Sequence, residues 1–211
     1  MPEGRPGRAD YGEKFLPYRR ILGRLLRHDP KAFGIPLDAA ILDVGCGFGD
    51  DIRRLHALGY RSVTGVEPDP FCVARRGDLD IRPGAIEKTG LPGGSFDAVL
   101  VNNVFHHTGD YAAALAELKR VLKESGLLCF IEPRNTFPRR LMDLLTFHTP
   151  LPSICPPVKS RHEVMIEEVR SGLYPRWLRS HGKFFALLRS QFALIWLRRT
   201  PFFYFCKASR R

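Results

Sequence analysis

One short run of the chain, Ile41-Leu42-Asp43-Val44-Gly45-Cys46-Gly47-Phe48-Gly49, has the residue types needed to bring a backbone against a ligand. The glycines at 45 and 47 let the chain leave an apolar strand, turn sharply and approach another molecule without a Cβ in the way. The next acidic residue at the end of an apolar run is Glu67, 24 positions beyond Asp43. A carboxylate there can accept hydrogen bonds from both hydroxyls of a ribose. Together the turn and Glu67 imply a nucleotide-like ligand. A dinucleotide is disfavoured, because the G-x-G-x-x-G fingerprint needs glycine where this chain has Asp50. A pyrophosphate would also meet Asp50 and Asp51 at a helix N-terminus, so NAD is not the expected cofactor.

The elements that must position these residues alternate strand and helix. Residues 39–44 and 62–67 read as buried strands around a helix that carries Asp50 and Asp51 in its first turn and ends at Gly59. Asp69 can cap, and Pro70 open, a short helix. Strands at 96–102 and 127–132 flank a helix over 110–123 that buries Leu115, Leu118, Val121 and Leu122. This alternation predicts an α/β doubly wound parallel sheet with its ligand at the carboxyl ends of the strands. An amphipathic helix is expected over residues 13–28, after a flexible stretch over 1–12, and the remainder forms one domain. In the last third, Phe137, Leu141, Leu144, Leu145 and His148 share one helical face, 149–158 reads as a Pro-rich loop, and 161–190 as a helical region broken around 172–175. Two apolar runs, 192–198 and 202–207, predict a closing antiparallel hairpin, with a cap over about 135–190 inserted before it.

Four segments in a fixed order carry a family resemblance: I-L-D-V-G-C-G-F-G, V-T-G-V-E-P-D-P, G-L-P-G-G-S-F-D-A-V-L-V-N-N-V-F-H-H and E-L-K-R-V-L-K-E-S-G-L-L-C-F-I-E-P. Over residues 12–133 the chain resembles class I S-adenosylmethionine-dependent methyltransferases, most of all the small-molecule branch that includes ubiquinone and menaquinone methyltransferases. The resemblance implies a Rossmann-like, mostly parallel seven-stranded sheet and S-adenosylmethionine as cofactor. It implies that Asp43, Gly45 and Gly47 contact the methionine part, with Asn102 beside it, and that Glu67 binds the ribose. Pro68 and Asp69 are then expected beside the adenosine and Ile86 at the adenine. The family commonly has an acidic residue where this chain has Ala85, which leaves adenine recognition there to backbone groups.

Methyl transfer asks little of side chains, because the sulfonium is already an activated donor. The acceptor must be held in line with the methyl group and water kept out. If the acceptor is a hydroxyl, the titratable candidates for a base are His107, Glu132, His148 and His162, with His107 foremost; its structural alternative is to cap or orient the following helix. The expected reaction is methyl transfer to oxygen or carbon of a small-molecule or lipid-linked acceptor. DNA base methylation is disfavoured, since the chain has Asn102-Asn103-Val104-Phe105 in place of an N/D-P-P-Y/F tetrad. An RNA methyltransferase and a non-catalytic cofactor-binding protein are the alternatives.

Charge narrows the partners. Residues 1–133 hold 18 Lys/Arg against 18 Asp/Glu, whereas 134–211 hold 15 against 4, so the whole net charge of +11 lies in the last third. A basic segment interleaved with Trp177, Phe184, Phe185 and Trp196 can serve an anionic membrane, an anionic substrate or RNA, or can be a solvated face. No RNA-binding motif accompanies it. The N-terminal stretch lacks the apolar run of a secretory signal, so a cytoplasmic protein with peripheral membrane contact is expected. The five cysteines show no Cys/His ligand spacing; they are expected to be reduced, buried thiols, and no metal is expected.

Overall fold

The computed structural model describes residues 33–211. The expected helix over 13–28 and the stretch 1–12 lie outside the described residues. Strand β1 (Ile41–Val44) enters the glycine turn, and helix α1 (Asp50–Ala57) leaves it. Strand β2 (Val63–Glu67), helix α2 (Pro70–Ala74) and strand β3 (Ile81–Pro83) follow. After β4 (Phe96–Asn102) come a single 3-10 turn (Phe105–His107), α3 (Tyr111–Val121) and β5 (Leu122–Pro133). Helices α4 (Phe137–Phe147), α5 (Leu151–Ile154), α6 (Pro156–Arg170) and α7 (Leu173–Gln191) form the cap, and β6 (Phe192–Arg199) and β7 (Phe203–Arg210) close the chain.

The seven strands form one sheet in the order β3-β2-β1-β4-β5-β7-β6. β1 lies between β2 and β4 in parallel, pairing Val44 with Val66 and Val101. β7 pairs antiparallel with β5 and with β6, so the hairpin's second strand is the inner one and β6 is the edge. Along β4 successive side chains alternate faces, as the pleat requires. Val99 and Val101 join Leu115, Leu118, Trp177 and Phe184 on the side of α3 and α7, while Ala98 and Leu100 join Ile52, Leu55 and Tyr60 on the side of α1. Both faces are therefore covered, which is why the parallel strands read as continuous apolar runs.

Several expectations need correction. The segment 149–158 is not a loop: it holds α5 and the first turn of α6. Pro152 and Pro156–Pro157 fall in helical first turns, where proline's missing N–H is no loss. The break in the following helix sits at Ser171-Gly172, with Gly172 at φ 76°. β3 is too short, at three residues, to leave a hydrophobic pattern, and it escapes the sequence reading. Only Cys129 and Cys206 are buried; Cys46, Cys72 and Cys155 are partly exposed.

The largest surprise is α4. Its apolar face points outward, with Phe137 77%, Leu144 51% and Leu141 43% exposed, and Ile154 of α5 beyond it is 80% exposed. The polar face is the buried one. Arg139 donates to the Phe202 carbonyl, Arg161 of α6 donates to Thr146 (2.6 Å) and pairs with Asp143, and Tyr174 donates to Asp143 (3.1 Å). The aromatic face of α7 does pack on the sheet: Trp177 and Phe184 are fully buried, and the Trp177 indole donates to the Pro133 carbonyl at 2.8 Å.

Candidate functional site

The turn after β1 is built by crossing to β2: the N–H groups of Gly45 and Cys46 both donate to the Val66 carbonyl, at 2.8 and 3.3 Å. Gly45 has φ 70°, and a Cβ there would lie 2.4 Å from Cγ2 of Val104, so the turn is pressed against the chain that follows β4. Gly47, at φ 55°, has nothing within 4 Å of where its Cβ would be, and faces open space. Its N–H donates to Glu67 Oε2 at 2.8 Å, and the Asp69 N–H donates to Oε1 at 3.0 Å. Glu67 is thus buried and locks the turn to the end of β2. Each of its oxygens keeps lone-pair capacity for a further donor. Asp69 caps α2 through the Phe71 N–H, as expected.

Asp43 is also buried. Burial first, then the charges of Asp51 and Glu67, lift its carboxyl well above the usual carboxylate range. Burial and the charges of Asp43 and Glu67 push the Cys46 thiol up as well. Asn102, at the end of β4, donates to Asp51 (3.3 Å) and accepts from Asn103 (2.7 Å). Carboxylates at 43, 51 and 67 therefore surround the turn. Such a site repels a pyrophosphate and suits a cationic ligand carrying hydroxyls.

Beyond β4, Asn103 takes the left-handed conformation (φ 57°), which asparagine tolerates, and turns the chain into the 3-10 turn. The turn is held from below by Glu132 of β5, which is fully buried. Its Oε1 accepts the N–H groups of Val104 and Phe105, each at 2.7 Å, and its Oε2 lies 2.8 Å from His106 Nδ1. Glu168 of α6 approaches from the cap, 3.5 Å from His106 Nε2 and 3.6 Å from His107 Nε2. Burial opposes charge on His106, yet Glu132 and Glu168 outweigh it and raise its pKa to about 9. His107 moves the other way, to about 4, through burial and the neighbouring charge on His106. Burial would raise Glu168, but His106 holds it below the usual range. Tyr174, its ring 5.9 Å from that of His106, lines a cap cavity of about 140 Å³ with Asp143, Phe147, His148 and Leu178.

A model of the methyltransferase domain family matches residues 42–130, from β1 into β5. Among curated proteins, a probable S-adenosylmethionine-dependent methyltransferase from Mycolicibacterium smegmatis is 37% identical over 118 residues, covering 52% of this chain and 44% of the relative. A sterol 24-C-methyltransferase from Gibberella zeae is 30% identical over 130 residues, covering 57% of this chain and 33% of the relative. The chain spans a third to under half of the length of these two relatives. A solved S-adenosylmethionine-dependent methyltransferase from Aquifex aeolicus shares the fold with TM-score 0.56 at 16% identity, over 96% of this chain and 99% of that one. Residues 42–130 match the methyltransferase domain family, and the chain has the fold of S-adenosylmethionine-dependent methyltransferases. The similarity to a probable S-adenosylmethionine-dependent methyltransferase supports S-adenosylmethionine as the cofactor. The relatives named here do not single out the quinone branch.

The methyltransferase domain brings Asp43, Gly45, Gly47, Glu67, Asp69 and Asn102 together at the carboxyl ends of β1, β2 and β4. Pro68 is exposed beside them, whereas the Ile86 side chain is turned into the core with Val44 and Val66. Of the candidate bases, Glu132 is sealed in and holds backbone, His148 lines the cap cavity, and His162 lies against Phe147. Only His107 lies on the strand-end turn with part of its ring exposed. Sequence reasoning missed His106 and Glu168. The neighbouring pair His106-His107 was the available signal; nothing local marks Glu168, 61 residues beyond His107.

Proposed function

We propose that the protein transfers the methyl group of S-adenosylmethionine to a lipid-linked acceptor that it meets at an anionic membrane surface. The observation that carries this reading is the inverted helix α4. Burying a large apolar side chain is worth roughly 1.5–3 kcal/mol, yet α4 spends its polar face on the protein and presents Phe137, Leu141 and Leu144 outward, with Ile154 beyond. Arg140 of α4 and Lys159 of α6 are exposed. An outward apolar face together with exposed basic residues on the same cap is the composition of a surface that lies in a bilayer interface. Kinship with a sterol 24-C-methyltransferase agrees with a lipid-like acceptor.

In this reading the carboxylates at 43, 51 and 67 attract the cationic cofactor, Glu67 accepts the ribose hydroxyls, and the open face of Gly47 admits the methionine part. Pro68 and Asp69 border the adenosine, the backbone around Ala85 and Ile86 meets the adenine, and Asn102 lies beside the methionine. The donor's own activation does most of the chemical work. With a pKa near 4, His107 is neutral at pH 7 and a feeble base.

Part of the basic excess of the last third is turned into the protein rather than toward a membrane. Arg139 and Arg161 are buried in the cap, and Arg176 donates to the Gly109 and Thr108 carbonyls. Flotation with anionic vesicles tests the reading. Binding is expected at low salt, weakening as salt rises, and lost when Phe137, Leu141 and Ile154 are replaced by serine or Arg140 and Lys159 by glutamine. A wild-type protein that stays in the soluble fraction at low salt would reject the membrane, and radiolabel from the cofactor appearing only in water-soluble product would reject the lipid acceptor.

A further inference from the structure

The cluster at the junction of β4, β5 and the cap sets two imidazole nitrogens around one carboxylate, each beyond ordinary hydrogen-bond length. His106 Nε2 lies 3.5 Å from one oxygen of Glu168, and His107 Nε2 lies 3.6 Å from the other. Good N–H···O bonds centre near ~2.9 Å. Ligand atoms bound at about 2.1 Å to a tetrahedral ion sit roughly 3.4 Å apart, which is close to both separations. The three ligand atoms all lie within 4.8 Å of one another. His107, whose side chain is 45% exposed, has the freedom to close the remaining edge.

We propose that His106, His107 and Glu168 bind one divalent transition-metal ion of the zinc class, with Glu132 orienting His106 from behind. A ligating histidine characteristically donates its other ring N–H to a carboxylate, which fixes the tautomer and aims the free nitrogen at the metal. His106 has that arrangement: Nδ1 is 2.8 Å from Glu132 Oε2, and Nε2 faces Glu168. Glu132 is itself fixed by the Val104 and Phe105 N–H groups, so the imidazole is held before any ion arrives.

Charge balance points the same way. Arg161, the nearby cation of α6, is engaged by Asp143 and Thr146, while the carboxylates of Glu132 and Glu168 both face His106. A divalent ion between them would offset both carboxylates. Two imidazoles and one carboxylate favour Zn²⁺, Co²⁺, Ni²⁺ or Fe²⁺ over Mg²⁺ and Ca²⁺, which prefer all-oxygen ligands. Three protein ligands leave a coordination position open for an oxygen donor, either water or a hydroxyl of the acceptor. The site adjoins the cofactor turn through Val104, whose side chain rests against Gly45.

The site can be tested without any methyl-transfer assay. Full-length protein, freed of metal with a chelator and of any affinity tag, is titrated with Co²⁺ and then with Zn²⁺. The expected result is one Co²⁺ per chain with the visible absorption bands of a four- or five-coordinate nitrogen/oxygen site, bleached by one equivalent of Zn²⁺. His107→Ala and Glu168→Gln should each weaken Co²⁺ binding by a hundredfold or more, exceeding the ~10–100-fold effect of losing a group that merely orients a ligand. His162→Ala, on the same helix as Glu168 but outside the cluster, should bind as the wild type does. Circular dichroism shows that each variant is folded, and if Glu168→Gln is not, the half-exposed His107→Ala decides. Absence of stoichiometric uptake, or uptake unchanged in His107→Ala, would overturn the proposal and leave a metal-free ion-pair cluster.

Discussion

Replacing Glu67 by alanine separates the turn-locking role of its carboxylate from the ribose binding proposed for it. In the free protein it accepts the N–H groups of Gly47 and Asp69, at 2.8 and 3.0 Å. Losing those acceptors leaves two donors at a nearly closed site, each costing about 1–3 kcal/mol where water does not enter. We expect the unliganded variant to melt several degrees lower, at about 2–4 °C per kcal/mol for a domain of this size. In the complex proposed above, Glu67 would also accept two ribose hydroxyls, each charge-assisted bond being worth roughly 1.5–3 kcal/mol. Their joint loss is about 3–6 kcal/mol, or roughly 10²–10⁴-fold in affinity at 1.4 kcal/mol per decade. The lower end is the better expectation, because removing the Glu67 charge makes Asp43 easier to ionise and so returns part of the attraction for a cation. Calorimetric titration with S-adenosylmethionine measures the binding loss, and thermal denaturation without ligand measures the loss from the turn. A folded Glu67→Ala protein that binds the cofactor within threefold of wild type would refute the placement of the ribose.

Three further outcomes follow from the same geometry. Gly45→Ala should abolish measurable cofactor binding and lower stability by about 1–3 kcal/mol, since the new Cβ meets Val104 at 2.4 Å on a backbone with φ 70°; titration and chemical denaturation read the two effects. S-adenosylmethionine affinity should rise with pH through the raised pKa of Asp43, because the ionised carboxylate attracts the sulfonium and the protonated one does not; titrations from pH 5 to pH 8 check the slope, and Asp43→Asn should flatten it. Glu132→Ala should cost about 3–5 kcal/mol by stranding the Val104 and Phe105 N–H groups and the charge on His106, as measured by urea denaturation.

The sequence by itself determined the parts of this protein whose causes are local. A four-residue apolar run followed by glycines dictates a strand and a sharp turn, and Asp69-Pro70 dictates a capped helix start, because steric and capping preferences act over a few residues. The succession of strands and helices along the chain and the closing hairpin were legible for the same reason, with β3 lost because three residues carry no period. Tertiary structure alone decided which face of α4 is buried. Periodicity shows that Phe137, Leu141 and Leu144 share a side, but the side facing the protein was chosen by partners far along the chain: Arg161, Tyr174 and the Phe202 carbonyl claim the polar residues. The cluster of His106, His107, Glu132 and Glu168 was equally hidden, since its members come from a turn, a strand and a cap helix that meet only when the sheet is covered. Hydrogen bonding and charge act through space, and the separation of those residues along the chain carries no trace of it.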